Sequence, residues 1–234
     1  HSRRTLITAV AIAVGLSVYI FMDSWLLGAE QESERNLIIY ETASAQIMTP
    51  EYFREGQDNL SLSNTVKNPG QIIAALRETG YTAAPRVLFS GELIVYRDPF
   101  PEDGSIAVRV EGIDPEVTKN IFDIHRVITE GRYLRQDEDA VLIGAGLAEK
   151  LGAEAGYPML IKTKTKTGYF QTINVKVAGI FNSPNPVVNK TTVYMPLDAV
   201  DYYLELNGEV TSVLLRFPFR ENIDSAVAAV QNSL

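Results

Sequence analysis

Residues 5–22 read TLITAVAIAVGLSVYIFM and carry no charged side chain. As a helix rising about 1.5 Å per residue, the run covers roughly 27 Å, close to the hydrocarbon thickness of a bilayer. A surface helix is apolar along one stripe, whereas this run is apolar all round. Trp25 beyond it suits the membrane interface. Arg3 and Arg4 precede the run, and Glu30, Glu32 and Glu34 follow it. That asymmetry places residue 1 in the cytoplasm and everything after about residue 30 outside it. Two other readings compete. A buried soluble helix is rarely apolar on every face for five turns. A cleaved signal peptide needs a small residue three positions before a cut at Ala29, and Leu27 stands there. The run also continues without a turn signal into AEQESERNLI, as a membrane helix does when it leaves the bilayer as a stalk. Asp23 sits near the outer end, where interfacial water reaches it; an intramembrane functional carboxylate is the alternative.

The rest alternates short strand and helix patterns. Thr42–Met48 reads as a strand that Pro50 ends, and Leu60–Lys67 as a loop. Asn68, Pro69 and Gly70 open a helix, with Asn68 at the N-cap and Gly80 as its stop. Ala84–Tyr96 and Ser105–Val110 form a hairpin about the turn RDPFPEDG. Asp114-Pro115 starts a helix EVTKNIFDIHRVI that Gly131 breaks. A strand at Val141–Ile143 and a helix at Leu147–Leu151 precede a second hairpin, Met159–Thr167 and Tyr169–Phe181, about Gly168. Its first strand puts Lys162, Lys164 and Lys166 on one face and Thr163, Thr165 and Thr167 on the other. Neither face is apolar, so an exposed or edge strand is expected, with a nucleic-acid or lipid-headgroup site as the alternative. A strand at Thr191–Met195, a helix at Pro196–Leu206, a strand at Val210–Phe217 and a helix at Asn222–Leu234 complete the pattern. The chain begins at His1 and stops within that helical pattern, so it reads as part of something longer.

Reactive constellations are not visible. Gly144-Ala145-Gly146 follows an apolar run as a dinucleotide-binding turn would, but Glu149 stands at the third glycine position, where its carboxylate would face a pyrophosphate. The better reading is a strand-to-helix turn that needs a compact backbone. Phosphate-loop, nucleophile-elbow and zinc-protease signatures are missing. With no cysteine and only His1 and His125 as histidines, thiolate zinc sites and cysteine nucleophiles are excluded. His125 reads as a partly buried helix residue rather than a base. Asp137, Glu138 and Asp139 resemble the start of a calcium loop, but Gly144 comes too late for its turn and no glutamate closes it. Tyr202 and Tyr203 read as one core and one rim residue. A net charge of −8 argues against a general nucleic-acid role. No catalytic, cofactor or metal residue is therefore expected, and a transport or coupling component fits better than an enzyme.

Five segments in order carry a resemblance: Val110-Glu-Gly-Ile-Asp-Pro115, Glu130-Gly-Arg-Tyr-Leu134, Val141-Leu-Ile-Gly-Ala-Gly-Leu-Ala148, Val177-Ala-Gly-Ile-Phe181 and Val193-Tyr-Met-Pro-Leu197. Together, after one span and an acidic stalk, they resemble the extracytoplasmic core of FtsX/MacB-like ABC-transporter permeases, the lipoprotein-releasing type included. Gly156-Tyr157-Pro158 departs from the family's usual Gly-Asp. The resemblance implies an α+β fold: a transmembrane and stalk helix over 1–35, a porter-like lobe from 36–112 and 190–234, and a β-rich sabre-like lobe over 113–189. It implies a protein of four spans in the bacterial inner membrane, a separate cytoplasmic ABC ATPase subunit, and a second permease subunit, same or different. It also implies lipoprotein or amphiphile release, with a soluble periplasmic carrier as a further partner. Efflux of peptides or drugs, regulation of a cell-wall hydrolase and a single-span ligand sensor remain alternatives. The coupling stalk would comprise Glu30, Glu32, Glu34, Asn222 and Ile223. The partner-facing hairpin would comprise Lys164, Lys166, Gly168 and Tyr169. That hairpin is short and proline-free, unlike the carrier-docking hook of one subunit type.

Overall fold

The structure, a computed structural model, describes residues 2–95, 105–217 and 227–228. In chain order the elements are α1 (Ser2–Leu37), a π-helical turn (Ile38–Thr42), β1 (Ala45–Ile47), α2 (Pro50–Asn59), α3 (Pro69–Glu78), β2 (Thr82–Val95), β3 (Ile106–Ile113), α4 (Pro115–Thr118), a 3₁₀ turn (Asp123–Arg126), β4 (Ile128–Gly131), β5 (Ala140–Gly144), α5 (Ala145–Leu151), β6 (Pro158–Lys164), β7 (Phe170–Phe181), α6 (Pro186–Thr191), β8 (Thr192–Pro196), α7 (Leu197–Leu204) and β9 (Ser212–Arg216). The turn expected at Arg97–Gly104 and nearly all of the helix expected at Asn222–Leu234 lie outside the described residues.

α1 buries none of its residues, the state an all-round apolar helix reaches only where something other than the protein core surrounds it. It is long and apolar enough to cross a membrane. The short helices begin where their sequences direct. Asp114 Oδ1 accepts from the backbone N–H groups of Glu116 (2.9 Å) and Val117 (3.1 Å), with Pro115 next in the chain. Asn185 Oδ1 likewise accepts from Val187 N–H at 3.0 Å.

Six strands close a ring. β2 pairs β3, β3 pairs β8, β8 pairs β5, β5 pairs β7, β7 pairs β6, and β6 returns to β2. The 14 residues of β2 allow this, because Thr82–Arg86 pair β9 while Glu92–Val95 pair β6. β1 extends the sheet beyond β9, and β4 extends it beyond the far half of β7. The ring takes β2, β3 and β8 from segments 36–112 and 190–234, and β5, β6 and β7 from segment 113–189.

Alternation along these strands sorts side chains onto two faces. One face gathers Phe89, Leu93, Val110, Ile143, Ile161, Val177 and Val193 into a core that α3 and α7 cover with Leu76 and Leu204. The other gathers Ala84, Ile113, Leu142, Phe181, Tyr194 and Leu214 beneath Ile121, Phe122 and Ile124.

Four expectations need correction. The helix expected over 116–128 is one turn, α4, followed by the 3₁₀ turn and β4. Its run VITEG is β-branched at the start and pairs with β7, and that pairing outweighs a weak helical preference. The lysine–threonine strand β6 is not an edge: it is paired on both sides, and Thr163 and Thr165 are buried, with Thr163 Oγ1 donating to Ser90 C=O at 2.8 Å. Asn68 stands at the N-cap with φ of 53° and makes no side-chain cap, and its carbonyl accepts from Gln71 N–H at 3.1 Å instead. Pro50 does more than end β1, because it begins α2.

Candidate functional site

The stalk reaches the body at residues 38–46. After the π-helical turn the chain reverses at Ala43, whose φ of 59° and ψ of −175° lie in a region that glycine normally occupies. Such strain costs on the order of 1–3 kcal/mol and persists only where neighbours hold it. Here Gln46 Nε2 donates to Thr42 C=O at 2.8 Å, and Ser44 N–H donates to Leu215 C=O at 2.9 Å. Phe217 N–H donates to Ser44 Oγ at 3.1 Å, so the chain leaving β9 passes beside the chain arriving from the stalk.

Beneath this reversal lies a buried chain of alternating charges. Glu41 of the π-helical turn meets Arg109 at 3.6 Å, Arg109 meets Glu111 at 3.3 Å, and Glu111 meets Arg86 at 3.5 Å. Arg86 then donates to Gln46 Oε1 at 2.7 Å and to Ser212 Oγ at 3.2 Å. Its Nη1 also points at Glu41 C=O, 3.4 Å away. Asn185 Nδ2 donates to the Glu41 carboxylate at 2.8 Å. The side chains of Arg86 and Glu111 are 3% and 2% exposed, whereas those of Arg109 and Glu41 are 31% and 21% exposed. Leu88 stands opposite Glu111, and Arg86 is two positions from Leu88, so both charges project from one sheet face. Two arginines and two glutamates cancel, which is what makes the cluster tolerable away from water.

Tyrosines frame the cluster. The Tyr194 hydroxyl lies 3.4 Å from Tyr40 C=O, and the Tyr52 hydroxyl donates to Leu88 C=O at 3.2 Å. Burial pushes both phenols up, so both stay protonated donors. On the exit side, Arg216 donates to Ile121 C=O at 3.0 Å and lies 3.8 Å from Asp123. The arrangement joins a rod to a sheet and holds the chain where it enters and leaves the body.

The chain matches the MacB-like periplasmic core domain over residues 5–233. It belongs to that family. The extracellular domain of YknZ, a noncanonic ABC-type transporter from Gram-positive bacteria, shares the fold with a TM-score of 0.52 at 13% identity, over 80% of this chain and 91% of that one. The periplasmic region of MacB from Actinobacillus actinomycetemcomitans is similar over 69% of this chain and 70% of that one, at 16% identity and a TM-score of 0.49. No curated protein matches.

In this MacB-like core domain the glycine turn is architecture. A Cβ on Gly144 would fall 2.2 Å from the Asn189 carbonyl oxygen, because α6 packs directly against it. Asn189 is itself fixed, accepting from Ser183 N–H at 2.8 Å. The acidic run 137–139 diverges: Glu138 pairs with Arg132 at 2.6 Å, Asp139 accepts from the Tyr203 hydroxyl at 3.0 Å, and Asp137 N–H donates to Asp198 at 2.6 Å. His125 lies in the 3₁₀ turn, edge-on to Tyr133 with ring centroids 6.0 Å apart. Tyr203 is partly buried against the core and Tyr202 is 78% exposed.

Of the stalk residues, Glu30, Glu32 and Glu34 are exposed on α1, with Glu32 paired to Arg35 at 3.1 Å within the helix. Asn222 and Ile223 lie outside the described residues. At the hairpin, Gly168 turns with φ of 91° and Tyr169 is exposed. Lys164 lies 5.2 Å from the Phe170 ring centroid, while Lys166 reaches Glu209 at 2.7 Å. Lys166 N–H also donates to Leu204 C=O at 3.1 Å, so the tip rests on the connection before β9, at the end of that strand opposite the stalk. The hairpin tip and the root of the stalk therefore stand at opposite ends of β9. Glu41, Arg86, Arg109, Glu111 and Asn185 were missed by sequence reasoning. The available signal was a charge inside an apolar strand, Arg86 in AAPRVLF and Glu111 in VEGI.

Proposed function

We propose that this chain is the first span and extracytoplasmic body of an ABC-transporter permease subunit, anchored in a bacterial cytoplasmic membrane with residues after about 30 outside. One observation carries the reading: α1 runs from the apolar segment to Leu37 and ends in the buried charge joint. A helix seated this way works as a lever. When a separate cytoplasmic ATPase binds and hydrolyses ATP and the spans change spacing, the joint carries that displacement into β1, β2 and β9. A second permease subunit completes the groove that the moving bodies open and close.

The cargo we assign is a lipoprotein or another amphiphile drawn from the outer leaflet, and peptide or drug efflux is the rival. Insertion of a Gly-Pro pair near Glu32 tests the coupling in the full permease reconstituted with its ATPase. ATP hydrolysis should persist while transport falls; transport that stays proportional to hydrolysis overturns the lever reading. Depletion of the full protein should retain lipoproteins in the inner membrane. Normal lipoprotein sorting accompanied by new drug sensitivity would transfer the assignment to efflux.

A further inference from the structure

The exposed face of the β6–β7 hairpin has a charge unlike the rest of the chain. The protein carries a net charge of −8, yet residues 155–197 contain five lysines and no Asp or Glu. Three of those lysines share one strand face. The register sets Lys164 opposite Phe170, Lys162 opposite Thr172 and Pro158 opposite Lys176, and such cross-strand pairs point the same way. Lys164, Phe170, Thr172 and Lys176 are exposed and Lys162 is half-buried.

The tip is built as a rigid display. The Lys162 and Lys164 ammonium groups both stand 5.2 Å from the centroid of the Phe170 ring. Phe170 and the neighbouring Tyr169 are 68% and 74% exposed. Holding two cations beside one ring concentrates positive potential, and the ring's negative face attracts each ammonium group. Among the described residues no carboxylate pairs with Lys164, and Lys162 has only Glu92 at 3.7 Å. The turn beneath is locked by Lys166 on Glu209 and by Thr167 Oγ1, 3.4 Å from Glu205. Large rigid aromatics flanked by cations and left open to solvent are what interface anchors look like before a partner arrives.

We infer that this face, centred on Lys162, Lys164, Tyr169 and Phe170, docks an acidic segment of another extracytoplasmic protein. Carboxylates of the partner meet the two ammonium groups and its apolar side chains cover the two rings. Charge complementarity selects this occupant: the remainder of the chain is strongly acidic, so an acidic partner is repelled elsewhere and guided here. A membrane surface is disfavoured because the tip stands at the end of β9 remote from the stalk. The inference rests on the permease reading only in placing the hairpin outside the membrane.

The test is photo-crosslinking in cells that express the full permease with its ATPase, using Thr172→p-benzoylphenylalanine, which leaves all four docking residues intact. The expected result is an adduct whose linked peptide is rich in Asp and Glu. The adduct should fall about tenfold in Lys162→Glu/Lys164→Glu, and again in about 0.5 M salt. Reversing the charges of the linked segment should restore it. The Lys162→Gln/Lys164→Gln pair gives the same readout with a smaller drop should the glutamates disturb folding. An adduct to a second copy of this chain, to phospholipid or to nucleic acid overturns the inference, as does an adduct indifferent to the lysines or no adduct. The stalk variant with an inserted Gly-Pro pair should crosslink normally, so failure here and failure of the lever reading are separable.

Discussion

The stalk root and the hairpin tip both rely on basic side chains beside acceptors and rings, yet they use charge in opposite ways. At the root, Arg86 and Glu111 are sealed in the sheet, and each is tolerable only because the other is present. At the tip, Lys162 and Lys164 stand in water, where a charge has little effect on stability and remains free to meet another molecule. Burial converts charge into a rigid joint, and exposure keeps it available for recognition. Lys166 lies between these limits: its side chain is 26% exposed and it latches the tip to Glu209.

The largest expected effect is at the root. Arg86→Met leaves Glu111 with only the half-exposed Arg109, and should destabilise the full chain by about 3–5 kcal/mol in chemical denaturation. Arg86→Met/Glu111→Leu should recover most of that loss. A single substitution costing under about 1 kcal/mol would mean the buried charges are not a joint at all. Next comes the turn. Gly168→Ala places a Cβ at a φ of 91° and should cost about 1–2 kcal/mol, read in the same assay.

A smaller effect is expected at the latch. The hydrogen bond from Lys166, then that from Thr65, holds the Glu209 carboxyl below its ordinary value of 4.5. A depressed folded value means the stabilisation is present above that ordinary value and is lost as pH falls through the folded one. Glu209→Gln should therefore cost about 0.5–1 kcal/mol at neutral pH and nothing once the solution is acid enough to protonate the native carboxylate. A difference that grew on acidification would show that the latch is not ionic. The smallest effect belongs to Lys164→Ala, within about 0.5 kcal/mol of the parent. A larger loss would place Lys164 in the framework and collapse the contrast between the two regions.

Much of the fold was legible because local rules govern it. The Pro69 and Pro115 positions, the Asp114 cap and the alternation in β7 each follow from chemistry within a few residues. The β strand at the end of the helix expected over 116–128 was not legible, because β4 (Ile128–Gly131) forms on the free edge of β7, which lies about fifty residues ahead in sequence. β6 misled for the same reason: its threonines are buried by Ser90 and the pairing to β2, contacts between positions that no local pattern links. The joint was not legible, because it draws Glu41, Arg86, the β3 pair Arg109 and Glu111, and Asn185 from four separate stretches.

The sequence by itself determined that a charge-free, mostly apolar run of eighteen residues precedes an acidic body, because the transfer free energy of that run is a local sum that no later contact alters. It also determined the start of α4, since the Asp114 cap acts within one turn. Only the tertiary structure decided that six strands close a ring and that the stalk ends on a neutral cluster of buried charges. Closure and charge pairing depend on distances between residues far apart in the chain, and those distances exist only once the sheet has formed.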